Sequence, residues 1–157
     1  MQDELLSAIE VFYDCVGDNF DFERAIGVMG RVTDDTGLGL FEINPMHNRF
    51  TALASHVIPD EAMDAMASGD WDPRSHSLLQ HLPYIRERIP VLRRTFTPDK
   101  EYFSSPLYRA TSEPWGLHSD GAILIERGDS RILVNGFVRL PGQEEVDHDI
   151  LSRMAIL

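Results

Sequence analysis

The sequence contains one cysteine, few basic residues and no long apolar run. Cys15 stands alone, so an intrachain disulfide is excluded, and a zinc site would need mainly histidines or carboxylates. The first residues are acidic where a secretory signal is basic, and no run approaches the roughly 18 apolar residues of a membrane span. These absences predict a cytoplasmic protein with no membrane partner.

Basic residues number only 14 against 26 acidic ones, which gives a net charge of −12. Nucleic-acid binding requires a cationic surface that displaces counterions from the phosphates, so direct contact with DNA or RNA is disfavoured. What the chain does contain is enough for one globular domain. Its 157 residues are 43% apolar, and a chain of this length buries about 70% of its unfolded surface. We expect a single domain over residues 1–157.

The spacing of apolar residues predicts helices and antiparallel hairpins in alternation. Helices are predicted at 3–16, from Asp21 to about Thr33, after Pro59, at 75–82, at 99–111 with an interruption at Pro106, and at 144–157. Strands are predicted at 38–43, 49–57, 91–96, 121–126 and 131–140. Asn135-Gly136 is predicted to be a β-bulge, because it follows the preceding turn too closely to form another. This order predicts an α+β fold in which helices pack on an antiparallel sheet of about five strands.

The last predicted helix has no stop signal. It ends in the apolar residues Ala155-Ile156-Leu157, without a capping residue. This end predicts that the chain is a piece of a longer protein.

The sequence lacks the common catalytic and metal-binding motifs. It has no glycine-rich phosphate loop and no G-x-S-x-G turn. His76 and His81 are five residues apart and so face different sides of a helix, which disfavours a shared metal ion. Cys15 is predicted to pack in the core. We expect neither a metal nor a cofactor.

An enzyme would need a nucleophile, a base and an orienting group close together. The sequence offers such groups only if His118, Asp72 and either Ser104 or Ser105 converge in one cavity. Nothing in their spacing predicts this, so a hydrolase or isomerase is the least favoured of three hypotheses.

Both tryptophans, Trp71 and Trp115, lie in predicted loops, and Tyr102 and Tyr108 cluster with Trp115 just before the last predicted hairpin. Tryptophan and tyrosine suit the walls of a ligand pocket, because each combines a broad apolar body with one hydrogen-bonding group. The alternative is that these rings complete the core. The candidate ligand-binding residues are Phe41, Trp71, Tyr84, Tyr102, Tyr108 and Trp115, with Asp72 and His118 as polar groups.

Five segments, taken in order, resemble a known family. They are Ile9–Tyr13, Asp34–Gly37, Asp72–Arg74, Tyr102–Tyr108 leading to Pro114–Gly116, and Phe137–Leu140. The chain resembles the N-terminal sensory domain of LuxR-type helix-turn-helix transcription regulators, of the GAF/PAS-like variety. The resemblance implies a GAF/PAS-like sensory fold. It also implies a downstream DNA-binding domain, which is absent from this sequence. DNA would be contacted only through that domain.

The resemblance also implies a role for Asp72. The best-known relatives bind acyl-homoserine lactones with an aspartate that precedes a proline, and Asp72 precedes Pro73 here. The helix before it carries Met63 and Met66 where those relatives have aromatic residues. This difference disfavours an acyl-homoserine lactone and leaves two alternatives, another small molecule or no ligand at all.

Two functions remain after these exclusions. The first is a regulatory domain that senses a small molecule and signals through its terminal helix to an attached DNA-binding domain. The second is a ligand-free dimerisation module of the same kind of regulator, in which the first and last helices pair between subunits. A homodimer is expected in either case.

Overall fold

One open antiparallel sheet forms the centre of the protein. The computed structural model describes residues 2–15, 21–68, 71 and 76–156. Its strands are β1 (Gly37–Asn44), β2 (Arg49–His56), β3 (Pro90–Leu92), β4 (His118–Arg127) and β5 (Ile132–Arg139). They pair in the order β2-β1-β5-β4-β3. The hairpins β1-β2 and β4-β5 therefore lie side by side in the sheet, because β1 pairs with β5.

Seven α-helices occur in the described residues. They are α1 (Gln2–Cys15), α2 (Phe22–Val32), α3 (Asp60–Ala67), α4 (Ser77–His81), α5 (Asp99–Ser104), α6 (Pro106–Thr111) and α7 (His148–Ile156). Asp21 caps α2 by accepting the N–H of Arg24 at 3.0 Å. Pro106 lacks an N–H, so α5 and α6 separate at Ser105, whose hydroxyl accepts the N–H of Tyr108 at 3.1 Å. The expected α+β architecture, an antiparallel sheet of five strands with helices packed on it, is confirmed; it is consistent with a GAF/PAS-like fold.

Helices cover both faces of the sheet. On one side, called here the α7 face, sheet residues that include Leu40, Ile123 and Leu133 pack against α2 and α7. On the other, called the cavity face, residues that include Leu124 and Val134 pack with α4 and α6, and α3 joins at the β1 end. Burial on both faces explains why these strands contain nearly continuous apolar runs.

The predicted bulge at Asn135-Gly136 is wrong. Both residues pair regularly, with Leu40 and Gly39 of β1 on one side. The register shifts instead in β4, between Ser119 and Gly121 and again between Leu124 and Glu126. The sequence could not place the irregularity because either strand of a hairpin can carry the extra residue.

The last helix starts four residues later than predicted. Asp147 begins it by accepting the N–H of Ile150 at 2.9 Å. The residues directly before it have no helical structure. Among them, Val146 is buried, and its N–H lies 3.3 Å from an oxygen of Asp120. Glu145 forms ion pairs with Arg94 and Arg139.

The predicted strand at 91–96 is also too long. β3 ends at Leu92, and a short 3₁₀ turn, Arg93–Thr95, follows. Arg93 folds back inward and its Nη1 donates to the carbonyl of Thr97 at 2.8 Å. A local side-chain bond of this kind competes with continued strand pairing. None of the helices in the described ranges is long and apolar enough to cross a membrane.

Candidate functional site

An apolar cavity of about 90 Å³ lies on the cavity face of the sheet. Its floor includes Ala122 and Val134 from the central strands, and Phe41 lies at its β1 side. Residues of α3, α5 and α6 form the roof, with Met63 and Met66 among them. Strands supply a rigid floor while methionines supply an adaptable roof, because an unbranched thioether side chain repacks readily.

A buried arginine defines the polar end of the cavity. Arg93 is only 6% exposed. Its Nε donates to the carbonyl of Ser119 at 2.8 Å, and its Nη2 donates to Asp99 Oδ1 at 2.5 Å. The hydrogen bond from Arg93 lowers the pKa of Asp99 below its ordinary value. The guanidinium is therefore held by protein acceptors, and its charge is balanced at the surface by Asp99.

Tyr102 connects this arginine to the sheet. The Arg93 guanidinium carbon lies 4.3 Å from the centroid of the Tyr102 ring, within cation–π distance. The Tyr102 hydroxyl accepts the N–H of Ser119 at 2.9 Å. Burial raises the pKa of Tyr102, so the phenol stays neutral. Ser119 is thus held at both its N–H and its carbonyl by groups that line the cavity.

His76 forms a second polar point in the wall. Its Nδ1 accepts the N–H of Leu78 at 3.1 Å and so caps α4. Burial lowers the pKa of His76 to about 4, so the ring is neutral at neutral pH. With Nδ1 acting as an acceptor, the ring proton belongs on Nε2. The Nε2–H group is therefore the one side-chain donor of His76, a residue that lines a largely apolar cavity.

The structure brings two of the predicted pocket residues to the cavity and places four others beside it. Phe41 and Tyr102 line it. Trp71 is 5% exposed and packs edge-on against Phe50, with its Nε1 donating to the Met66 carbonyl at 3.1 Å.

The other three rings support the wall from behind. Tyr108 packs against Tyr102 at a centroid distance of 5.0 Å, and His118 packs against Phe103 and Tyr108. Trp115 packs against the apolar cluster beside α3. These residues shape the cavity without forming its surface, which agrees in part with the alternative that the aromatic residues complete the core.

Tyr84 was predicted to bind the ligand, but it does not line the cavity. It is 84% exposed and lies in a 3₁₀ turn. Pro83, in the same turn, is also exposed. Asp72, on which the comparison with lactone-binding relatives depends, lies outside the described residues, as does the side chain of Cys15.

The sequence did not identify His76 and Arg93 as cavity residues. Arg93 lies in an Arg-Arg pair that is typical of a charged surface, and the sequence around His76 favours an ordinary surface or structural histidine. One signal was present for Arg93, since it occupies an alternate position after Val91 in an apolar strand pattern. The inward turn of its side chain depends on acceptors that come from elsewhere in the chain.

The two serines of the enzyme hypothesis form local hydrogen bonds in α5 and at the start of α6. The hydroxyl of Ser104 donates to the Glu101 carbonyl at 3.0 Å, and that of Ser105 caps α6. In the described ranges, no three His, Cys, Asp or Glu side chains are grouped where they could hold a metal ion.

The cavity is joined to the segment before α7 through two consecutive residues of β4. Ser119 is held by Arg93 and Tyr102 on the cavity side. The next residue, Asp120, is buried, and its carboxylate pairs with Arg139 Nε at 2.9 Å and lies 3.3 Å from the N–H of Val146. Burial raises the pKa of Asp120, while the Arg139 charge opposes that rise. Ser119 and Asp120 therefore form a continuous series of contacts from the cavity to the segment that precedes α7.

The chain matches no protein-family model, and no curated protein or solved structure is significantly similar to it.

Proposed function

We propose that this protein is the small-molecule-sensing domain of a LuxR-type transcription regulator and that it signals through α7. The observation that carries the proposal is the apolar cavity whose polar end holds Ser119, one residue from the carboxylate that anchors the segment before α7. A ligand regulates only if it binds one arrangement of that connection better than another, and a typical coupling is about 1–3 kcal/mol. A DNA-binding domain attached after α7 would receive the signal.

The cavity favours a compact, mostly apolar and uncharged ligand. Its 90 Å³ volume is well below the usual range of about 300–1,000 Å³ for ligand pockets. A metabolite would therefore enter by displacing Met63 or Met66. His76 offers one donor, so a carbonyl or ether oxygen on the ligand is favoured. Arg93 already bonds to three protein acceptors, and a ligand carboxylate would compete with Asp99.

Filling the cavity is expected to abolish ligand binding without unfolding the protein. Gly136 lines the cavity, and a Cβ placed there meets nothing nearer than 3.8 Å. Valine suits a strand and would occupy the space. A panel of neutral lactones, quinolones and aromatic alcohols is screened by the melting temperature and tryptophan fluorescence of the wild type. A hit should raise the melting temperature of the wild type and leave that of Gly136→Val unchanged.

Gly136→Ala is the matched control, because its smaller methyl group should weaken binding rather than remove it. Hydrogen exchange measured with the same hit should change protection of α7 amides as well as those around the cavity. If no compound stabilises the wild type, or if Gly136→Val responds as the wild type does, the ligand-sensing proposal fails.

The alternative of a ligand-free dimerisation module draws on two exposed apolar side chains. Leu6 on α1 is 54% exposed and Ile156 on α7 is 58% exposed. Burying both in a subunit interface would remove apolar surface from water.

Sedimentation velocity tests this alternative on the chain as it stands. If α1 and α7 pair, the wild type sediments as a dimer and Leu6→Glu shifts it to the monomer. Met46→Glu is the control, since Met46 is an exposed apolar residue in the β1–β2 turn, away from both helices. A wild type that stays monomeric at high concentration would exclude the dimerisation module.

A further inference from the structure

A second concave site lies on the opposite side of the sheet from the cavity. It is an open groove of about 590 Å³ on the α7 face, bounded by α2 and α7. This volume falls within the range of about 300–1,000 Å³ that is usual for small-molecule sites. The groove shares no described lining residue with the cavity. It is therefore a separate site and does not depend on the proposed function.

The described walls of the groove are almost wholly apolar. Ile123 and Leu133 belong to its floor, Met29 to its α2 side, and Met154 and Ile156 to its α7 side. Such a surface accepts an aliphatic chain by the hydrophobic effect.

Only two polar residues are among the described lining residues, and one of them is already satisfied. In the hydrogen-bonded orientation of its amide, Asn135 donates to the carbonyls of Gly39 at 3.3 Å and Gly136 at 3.2 Å. The floor therefore offers an occupant no free side-chain donor. The remaining polar residue, Arg88, is exposed at the edge.

Arg88 is a cation without an acidic partner within salt-bridge distance in the described part of the chain. Its own N–H donates to the Leu124 carbonyl at 2.7 Å, which fixes its backbone at the edge of β4. In a chain with a net charge of −12, an arginine that has no acidic partner among the described residues and lies beside an apolar groove is complementary to an anion that carries an apolar tail.

The length of the groove fits a medium aliphatic chain. Arg88 lies beside β4, and Leu40 of β1 lines the far side of the groove beyond β5. Neighbouring strands are about 4.8 Å apart, so the path from Arg88 across β4 and β5 to β1 is about 14 Å.

From these observations we propose that the groove binds an amphipathic carboxylate, with its head group on Arg88 and its aliphatic chain between α2 and α7. A second copy of this chain fits the same surface less well. Two copies related by a twofold axis would place one concave surface against another, and the core of a protein interface is depleted in charged residues such as Arg88. Because α7 forms one wall, the occupant would contact the terminal helix directly.

Decanoate, used below its micelle concentration, is the probe for this proposal. Calorimetry should show saturable binding to the wild type, weakened about tenfold in Arg88→Gln by loss of the charged hydrogen bond. Arg86→Gln is the matched control, since Arg86 is also exposed and does not line the groove. The neutral analogue decan-1-ol should bind the wild type and Arg88→Gln equally. Ala155→Trp, at an exposed position in the groove wall, should block both probes.

The cavity-filling variant Gly136→Val separates this site from the cavity. Decanoate binding that persists in Gly136→Val supports the groove, whatever the outcome of the screen against the cavity. The proposal is overturned if decanoate does not saturate, if Arg86→Gln weakens it as much as Arg88→Gln, or if Gly136→Val abolishes it. It is equally overturned if the wild type is a dimer that Ala155→Trp dissociates and decanoate leaves intact, because a second copy would then occupy the groove.

Discussion

Replacing Arg93 with alanine is expected to lower the free energy of unfolding by about 2–6 kcal/mol, because two carbonyl acceptors lose the buried guanidinium that donates to them. The carbonyls of Ser119 and Thr97 would lose their side-chain donor inside the protein. Each buried acceptor left unsatisfied costs about 1–3 kcal/mol. The Tyr102 ring would also lose its cation. Urea denaturation followed by circular dichroism measures the loss.

The adjacent arginine provides a matched control for this prediction. Arg94 is exposed and pairs with Glu145, which is also exposed. Exposed ion pairs contribute about 0–1 kcal/mol, so Arg94→Ala should remain close to the wild type. Arg93→Lys should fall in between, since an ammonium group keeps the charge but cannot reproduce the geometry of the guanidinium. Equal losses from Arg93→Ala and Arg94→Ala would show that the buried network does not stabilise the fold.

The second large effect is expected from His76, which should make the stability of the folded protein depend on pH. Burial lowers the folded-state pKa of His76 to about 4, while an unfolded histidine has a pKa of about 6.5. Between these values the unfolded chain binds a proton that the folded chain does not. Stability contributed by His76 is therefore full above about pH 6.5 and is lost as the pH falls towards 4. The difference of about 2.5 pKa units corresponds to about 3 kcal/mol.

His76→Asn isolates this contribution. Asparagine keeps a side-chain acceptor for the N–H of Leu78 and so preserves the cap of α4. It does not titrate, so other groups such as Asp120 are common to both proteins and cancel in the difference. We expect the stability of the wild type relative to His76→Asn to increase with pH between about 4 and 6.5. Parallel stability curves for the two proteins over this interval would contradict the burial of a neutral His76.

The elements of the fold could be predicted where a local signal was decisive. Asp21 marked the start of α2 and Pro106 the break between two helices, because capping and the missing proline N–H act within a few residues. The start of α7 and the end of β3 were misplaced. Both boundaries depend on distant partners: Asp120 lies close to Val146, and Arg93 bonds to Ser119.

The candidate site was predictable only in part for the same reason. Aromatic enrichment located Tyr102 and Phe41, since large rings near a sheet are buried in most folds. It could not separate rings that line a cavity from rings that support it, such as Tyr108 and Trp115. It also placed Tyr84 in the pocket, although a surface turn carries that ring into solvent.

By itself, the sequence determined the class of fold, the alternation of helices and hairpins, and a net charge of −12. These properties follow from composition, apolar periodicity and local capping, which act over short stretches of chain. Only the tertiary structure decided that β1 pairs with β5, that Arg93 and His76 face a cavity, and that Arg88 stands at the edge of a separate groove. Each of these contacts joins residues that are far apart in the chain. The packing of helices on both faces of the sheet brings those residues together.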